Sequence, residues 1–315
     1  MIGKTGRRLV AVGLAIVAVG LTSCGKKAQE ETATRGNLTV CSTESHLALM
    51  EKEAAEFNSL YAEAHITVFG ATTREAIVNL LNDSIRVIVT DRSLNAEEQG
   101  VAKKEKVGIE EIAIAKDALA VVVSSLNGMT AFTTDRLQDI FTRKVADWSQ
   151  VEGSGLTGPI EIVMTGKNSG AYELMKDTFL NLTEDIPVTT VLGSQREVVA
   201  YAAGHPQAIG IVSYACYRDP ALAAEVSDSI STGKVRALAF TGADSTGLVA
   251  THRLHQANIY LDRYPLTYKV YLYFRKSSYL AAGFSGFVAG PTGQKIILDW
   301  GLVPVTMPVR IVTLT

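Results

Sequence analysis

Residues 165–172, TGKNSGAY, have the residue types of a site for a small anion. They follow an apolar run at 160–164 that predicts a strand, and they precede a helical pattern at 173–180. The first turn of a helix has backbone N–H groups without partners at the positive end of the helix dipole. Asn168 and Ser169 add side-chain donors to them. Either residue also serves as an ordinary helix cap, so this segment alone leaves both interpretations open.

Two other loops share this composition and this position. Residues 42–44 and 71–74 are rich in hydroxyl groups, and each segment lies between a predicted strand and a predicted helix. Thr72 and Glu75 have the spacing of a capping box, which locates the start of the second helix. In open α/β sheets, ligands bind where helix N-termini meet at the carboxyl ends of strands. We therefore expect the three loops to converge on one small anion.

Predicted strands and helices alternate along most of the chain, which indicates an α/β fold with parallel pairing. Lys116 and Asp117 interrupt an apolar stretch, so we predict two strands there, at 112–115 and 119–124. A single strand is predicted at 235–240. No internal repeat is present in the sequence. Two α/β units built from interleaved segments explain the pattern better than two consecutive domains.

The composition excludes several classes of protein. A formal net charge of −2 argues against a nucleic-acid partner. Cys24, Cys41 and Cys216 form neither a disulfide framework nor a CxxC metal pair, and His252 and His255 have no carboxylate cluster nearby. No GxSxG motif and no clustered acid–base pair occur in the sequence. We therefore expect a protein that is not an enzyme and needs no cofactor or metal.

The N-terminus has the pattern of an export signal. Basic residues precede an apolar run at 9–21 that is short for a membrane span, and the run ends in LTSCG. This ending resembles a bacterial lipobox, which predicts a signal peptide at 1–24 and lipidation of Cys24. A plain secretory signal is the alternative. The polar residues 25–36 predict a flexible tether. The folded part is then expected from about residue 37, outside the cytoplasm.

Several segments, in this order, resemble the phosphate-binding proteins of bacterial phosphate ABC transporters. They are 112–123, 137–148 (LQDIFTRKVADW), the loop 168–171 in place of the family's S-G-T loop, 205–210 (HPQAIG), 264–266 and 291–296. The resemblance covers nearly all of the mature chain. It implies an α/β, two-lobed periplasmic-binding-protein-like fold of type II, with two crossing hinge strands. The implied lobes are 37–124 plus 267–315, and 125–266.

The resemblance also implies a function. The protein would be a monomeric, lipid-anchored solute-binding protein on the periplasmic face of a membrane. It would capture inorganic phosphate in a cleft between the lobes and deliver it to an ABC permease. A sensor or adhesion lipoprotein on the same fold, or a binder of another oxyanion such as sulfate, remains an alternative.

The candidate phosphate-binding residues are nine: Thr43, Thr72, Thr73, Arg74, Arg86, Asn168, Ser169, Gly170 and Ala171. The resemblance, transferred position by position, implies that Thr43, Thr72 and the segment 169–171 donate to the anion, and Arg74 is a further candidate cation beside the second loop. Two positions depart from the family. Its arginine, four residues before the loop serine, falls on Thr165, and its acidic residue falls on Arg86. With a cation in place of the acceptor, we expect the site to discriminate only weakly against sulfate. We also expect the affinity for phosphate to rise from about pH 6 to pH 8. Asp91, Glu75 and Glu44 are the nearest substitute acceptors in the sequence.

Overall fold

The computed structural model describes residues 30–225, 234–243 and 249–306. The predicted signal peptide, Cys24 and the first part of the predicted tether lie outside the described residues. Among the described residues, no helix has the length and apolar character needed to cross a membrane.

The strands of the described chain confirm most of the predicted apolar runs. They are β1 (Gly36–Thr43), β2 (Ala64–Ala71), β3 (Val87–Thr90), β4 (Ile109–Ser124), β5 (Ala131–Phe132), β6 (Glu161–Thr165), β7 (Thr190–Leu192), β8 (Ala208–Ser213), β9 (Val235–Ala237), β10 (Ala239–Ala243), β11 (Val249–His252), β12 (Thr267–Arg275) and β13 (Val303–Pro304).

The helices follow the strands as the alternating pattern predicts. They are α1 (Leu47–Leu60), α2 (Thr73–Leu81), α3 (Ala96–Lys104), α4 (Thr134–Phe141), α5 (Gly170–Glu173), α6 (Gln195–Gly204), α7 (Tyr214–Tyr217), α8 (Pro220–Glu225), α9 (Gln256–Tyr260), α10 (Tyr279–Ala289) and α11 (Pro291–Trp300). Helix α5 continues as a π-helical segment, Leu174–Phe179, and single 3-10 turns occur at Glu44–His46 and Trp148–Gln150.

The main sheet has the order β2-β1-β3-β12-β4-β8-β6-β7, and β9 and β13 also pair with β4. Strand β1 pairs in parallel with β2 and β3, and β6 pairs in parallel with β7 and β8. A second, small sheet has the order β11-β10-β5. Because parallel neighbours end at the same edge, the carboxyl ends of β1, β2 and β3 lie together, as do those of β6 and β7.

The long strand β4 connects these two groups of parallel strands. Its first part, up to Ala118, pairs with β12, and from Leu119 onward it pairs with β8. The antiparallel pair β4 and β12 therefore forms the crossing between the two groups of parallel strands. The lobe limits at residues 124 and 267 stay a prediction.

The prediction of two strands at 112–115 and 119–124 is wrong, because β4 runs through Lys116 and Asp117 without a break. Lys116 pairs with Lys269 in β12 and with Val303 in β13, and Asp117 pairs with Tyr268. The buried carboxylate of Asp117 accepts hydrogen bonds from groups distant in the sequence, which removes the reason for a break. The prediction of one strand at 235–240 is also wrong. At Leu238, which separates β9 from β10, the backbone N–H bonds to Val121 and pairing passes from β4 to β5.

Part of the predicted tether is packed against the folded chain. Thr32 and Arg35 form an isolated β-bridge, and the carboxylate of Glu31 accepts hydrogen bonds from the Ser278 hydroxyl and the Leu280 backbone N–H. These contacts cap the start of α10. The ordered chain therefore begins before residue 37.

Candidate functional site

A cavity of about 340 Å³ lies where the predicted loops meet. Its walls come from the segments that follow β1, β2 and β3, and from the starts of α5 and α6. The lining residues are Thr43, Glu44, Ser45, Gly70, Ala71, Thr72, Thr73, Glu75, Asp91, Ser169, Gly170, Gly193, Ser194 and Gln195. The expected convergence of the three loops is confirmed, and the loop 193–195 joins them.

The structure brings most of the nine predicted site residues to this region. Thr43, Thr72, Thr73, Ser169 and Gly170 line the cavity itself. Arg74 and Asn168 line a neighbouring cavity of about 570 Å³, which shares Gly70, Ala71 and Glu75 with the first one. Ala171 is buried in the first turn of α5.

The ninth predicted residue, Arg86, is not at the cavity, and this prediction is corrected. It lies just before β3, half of its side chain is exposed, and it forms a salt bridge of 3.2 Å with Glu31. The cavity is at the other end of β3, and the strand rise of about 3.3 Å per residue separates positions 86 and 91 by roughly 16 Å. The acidic residue at the carboxyl end of β3 is Asp91. The expectation of weak discrimination against sulfate therefore loses its premise.

Asp91 presents a buried carboxylate at the floor of the cavity, with only 1 % of its surface exposed. The hydroxyl of Thr43 donates to Oδ1 at 3.0 Å. The hydroxyls of Ser45 and Thr73 donate to Oδ2 at 3.3 and 3.4 Å. These bonds orient the carboxylate as an acceptor at the point where the segments after β1, β2 and β3 converge.

Gly170 allows α5 to approach Asp91 closely. A Cβ atom at this position would lie 1.8 Å from Asp91 Oδ2, which is far inside van der Waals contact. The carboxylate has no room to withdraw, because buried hydroxyl groups hold it. Glycine is therefore required here for close approach, and the N–H groups at the start of α5 lie beside the acceptor.

Ser169 caps its own helix and still has a donor to offer. The Thr165 hydroxyl donates to Ser169 Oγ at 2.7 Å, and the Tyr172 backbone N–H donates to the same oxygen at 3.3 Å. Ser169 Oγ therefore accepts two bonds, and its own hydrogen is available for the cavity. Thr165, at the position of the family's arginine, thus acts through Ser169.

The Thr72 hydroxyl is committed to the capping box that the sequence predicted. It donates to Glu75 Oε2 at 2.9 Å and accepts from the Glu75 backbone N–H at 3.3 Å. Hydrogen bonds from the backbone and hydroxyl of Thr72 lower the pKa of Glu75. The donor expected from the Thr72 side chain is therefore occupied in this structure.

His46 lies beneath Asp91 and was not among the predicted site residues. Its Nδ1 is 2.9 Å from Asp91 Oδ1, and its Nε2 is 3.1 Å from Asp117 Oδ2. Burial disfavours charge on the ring, but hydrogen bonds to Asp117 and Asp91, and their charges, outweigh it and raise the pKa of His46 to about 9. No local sequence signal could have revealed this contact, since Asp117 is 71 residues away.

The loop 193–195 was also missed, although a sequence signal was present. Ser194 follows a strand and caps α6, as Thr72 caps α2 and Ser169 caps α5. The Gln195 backbone N–H donates to Glu44 Oε1 at 2.7 Å, and its side-chain amide donates to Ser45 Oγ at 2.9 Å. Burial raises the pKa of Glu44, while the bond from Gln195 opposes the shift.

The charge of the lining is unusual for an anion site. Three carboxylates, Glu44, Glu75 and Asp91, line the cavity, and no lysine or arginine is among its described lining residues. Within the described ranges, no group of three or more His, Cys, Asp or Glu residues could hold a metal ion. Hydroxyl and backbone N–H groups are thus the donors that this cavity offers.

This fold and this site define a class of solute-binding proteins. A profile of the PBP superfamily domain matches residues 27–292, and the chain belongs to that superfamily. It is similar to Protein SphX of Synechococcus elongatus, with 25 % identity over 290 residues, 90 % of this chain and 81 % of the relative. It is also similar to the phosphate-binding protein PstS of Pseudomonas aeruginosa, with 22 % identity over 312 residues, 93 % of this chain and 90 % of the relative.

Solved structures share the fold. A putative phosphate ABC transporter substrate-binding protein from Clostridium perfringens, with bound phosphate, superposes with a TM-score of 0.68 at 19 % identity. An ABC-type phosphate transport receptor from Vibrio cholerae superposes with a TM-score of 0.62 at 20 % identity. Each comparison covers 86 % of this chain and 100 % of the other chain. The two-lobed fold implied by the sequence is thereby confirmed.

Proposed function

We propose that this protein captures inorganic phosphate in the 340 Å³ cavity, as a cleft between its lobes, and delivers it to an ABC permease. The observation that carries the proposal is the buried carboxylate of Asp91 among hydroxyl and helix N-terminal donors. The relatives named above as phosphate-binding or phosphate-transport proteins support the choice of anion.

The proposed recognition rests on complementary hydrogen bonding. The oxygens of phosphate would accept from the Ser169 hydroxyl and from the first-turn N–H groups of α2 and α5. Phosphate keeps a proton at neutral pH and would donate it to Asp91. Fully ionised sulfate has no proton to donate, so Asp91 would repel it. Hydrogen bonds to charged groups contribute about 1.5–3 kcal/mol each, so a handful suffices for micromolar binding.

Capture would include movement of the lobes. A cavity of about 340 Å³ has the volume of roughly eleven waters at about 30 Å³ each, more than one tetrahedral oxyanion occupies. Opening around β4 and β12 would admit and release the ion, because α5 already packs against Asp91 and α6 already bonds to Glu44 and Ser45 in this structure. Anchoring through a lipidated Cys24 would keep the monomer beside its permease, and no chemical step on the ligand is part of this function.

Calorimetric titration of the purified protein with phosphate, arsenate, sulfate and molybdate tests the proposal. We expect a dissociation constant for phosphate of about 1 µM or lower, similar behaviour of arsenate, and no binding of sulfate. Absence of both heat and thermal stabilisation with all four anions would contradict anion capture. Equal affinity for sulfate and phosphate would show that Asp91 does not accept a hydrogen bond from the proton of phosphate. It would favour a general oxyanion binder.

A further inference from the structure

His46 occupies a position between the cavity and the strands that cross between the lobes. Its ring is buried, with Asp91 on one nitrogen and Asp117 on the other. Asp117 lies in β4 opposite Tyr268 of β12, next to the point where β4 changes its partner from β12 to β8. The imidazole therefore joins the candidate ligand acceptor to both crossing strands.

The hydrogen-bond partners determine the charge of this group. The remaining partners of Asp91 are hydroxyls of Thr43, Ser45 and Thr73. Those of Asp117 are the Tyr268 hydroxyl at 2.8 Å and the backbone N–H groups of Ala118 and Ala215 at 2.7 and 3.4 Å. All of these groups donate, so the carboxylate oxygens of Asp91 and Asp117 act as acceptors. An ionised carboxylate only accepts, hence both ring nitrogens of His46 donate and the ring is an imidazolium.

We propose that His46 is a positioning residue for ligand binding: its imidazolium supplies, from beneath the cavity, the positive charge that the lining lacks. It holds Asp91 ionised and aimed at a proton-carrying oxyanion, and it ties that acceptor to the crossing strands through Asp117. This role rests on the proposed phosphate function. His46 itself does not line the cavity. Its role does not depend on Arg74 or Arg86, the basic residues that the sequence suggested.

The tyrosine and cysteine side chains around His46 have pKa values that differ from its own, so the titration of His46 can be followed separately. Asp91, Asp117 and Tyr268 face the ring directly, and α7, which carries Tyr214 and Cys216, packs against the Glu44–His46 turn. Burial raises the pKa of Tyr268 well above 10 and that of Cys216 to about 12. Burial also raises the pKa of Tyr214. His46, with its pKa raised to about 9, is therefore the group expected to lose its charge in mildly alkaline solution.

Phosphate affinity as a function of pH tests this role. Between about pH 8 and pH 10 hydrogen phosphate stays a dianion, since the second ionisation of a phosphate group is complete. We expect the affinity of the unchanged protein to fall by at least roughly tenfold over that range. His46→Gln should bind at least roughly tenfold more weakly at pH 8 and show no such break. His65→Gln, an exposed change in β2, should match the unchanged protein.

A second variant covers the case in which His46→Gln does not fold. Asp117→Asn leaves both His46 and Asp91 in place but removes one of the two carboxylates that hold the proton. We expect the break in the affinity profile to move to lower pH, and the imidazole titration of the ligand-free protein, followed by NMR, to move with it. In the unchanged protein that titration should lie near pH 9.

The outcomes separate this inference from the function on which it rests. A protein that binds no phosphate at any pH would overturn the proposed function, while the NMR titration would still measure the charge of His46. If both His46→Gln and Asp117→Asn leave the phosphate affinity and its fall with pH unchanged, the positioning role of His46 is overturned and the proposed function is not. An imidazole that titrates near its ordinary pKa of about 6.5 would do the same.

Discussion

Asp91 combines two properties that rarely occur together at an anion site. It is buried, and it accepts hydrogen bonds from the hydroxyls of Thr43, Ser45 and Thr73 and from His46, so a ligand proton would replace one of the two longer bonds, those from Ser45 and Thr73 at 3.3 and 3.4 Å. A buried carboxylate costs several kcal/mol unless such donors compensate for the lost water. The chain supplies them from Thr43 and Ser45, at the end of β1 and in the turn that follows it, and from Thr73, at the start of α2. The arrangement suits a ligand that brings its own proton.

Asp91→Asn should change both affinity and selectivity. An amide replaces one acceptor oxygen by a donor, so we expect phosphate binding to weaken by about 1.5–3 kcal/mol, roughly 10- to 150-fold. Sulfate should bind better than to the unchanged protein, because the repulsive charge is gone. Competition calorimetry with both anions measures the two effects. Asp83→Asn, at an exposed aspartate, is the control, and an unaltered phosphate-to-sulfate ratio in Asp91→Asn would refute the assignment.

At the scale of elements, an ion pair outside the candidate cavity joins the segment after β3 to α5. Arg92 Nε lies 2.7 Å from Glu173 Oε2, and the Nη atoms of Arg92 bind Glu98 at 2.8 and 3.0 Å. Burial raises the pKa of Glu173, and the bond from Arg92 opposes that shift. Because Asp91 precedes Arg92 and Gly170 begins α5, the pair holds together two elements that carry the candidate site.

Glu173→Gln should weaken this connection and shorten the lifetime of the bound state. The side chains are about one-fifth exposed, so we expect a loss of about 0.5–1 kcal/mol, a two- to fivefold weaker affinity for phosphate. The dissociation rate, measured by stopped-flow displacement, should account for most of it. Asp299→Asn, which breaks a surface pair with Lys295, is the matched control. Equal dissociation rates in the two variants would show that the Arg92–Glu173 pair has no role in retaining the ligand.

At the scale of the whole molecule, two buried groups set the pH dependence of stability. Glu53 in α1 is fully buried, and within the described chain its carboxylate oxygens have no hydrogen-bond partner. Burial raises the pKa of Glu53 to about 9, with Lys52 opposing and Glu56 adding to the shift. An acid whose pKa is raised in the folded state destabilises the folded protein progressively as the pH rises from about 4.5 to 9, because the unfolded chain releases the proton first.

The free energy of unfolding should therefore be greatest near pH 4.5 and should fall from there toward pH 9. His46 acts in the same direction. Its pKa is raised from 6.5 to about 9, so its contribution to the free energy of unfolding is complete below pH 6.5 and is lost as the pH rises through 9. Below the maximum, Glu98 loses its stabilising contribution, because burial raises its pKa but bonds from Arg92 and Asn95 lower it further. Urea unfolding at several pH values measures this curve.

Replacing Glu53 separates its share of the pH dependence from that of His46. Glu53→Met should raise the free energy of unfolding at pH 8 by about 1–3 kcal/mol, because an unsatisfied buried acid is removed. The gain should be smaller at pH 5, close to the ordinary pKa of 4.5, because ionisation of Glu53 in the unfolded chain favours unfolding much less there than at pH 8. Glu51→Gln, an exposed change on the same helix, is expected to have no effect. If Glu53→Met leaves the pH dependence of the free energy of unfolding unchanged, groups other than Glu53 cause that dependence.

The amino-acid sequence by itself determined the features that depend on neighbours a few residues apart. The alternation of strands and helices, the capping box of Thr72 and Glu75, and the hydroxyl-rich loops after β1, β2 and β6 were all predictable. Such features are decided by side-chain periodicity and by hydrogen bonds between positions one to four residues apart. Convergence of the loops then followed from parallel pairing.

Only the tertiary structure decided which charges meet. His46, Asp91 and Asp117 come together because β1, β3, β12 and β4 are consecutive neighbours in the sheet, and no local spacing encodes that order. For the same reason Asp117 continues β4 instead of ending a strand. Arg86 and Asp91 are five positions apart in the sequence, yet they lie at opposite ends of one extended strand, and the register of that strand determines which of them faces the cavity. A strand pairing is selected by the whole sheet, since its hydrogen bonds and buried surface belong to partners far apart in the chain.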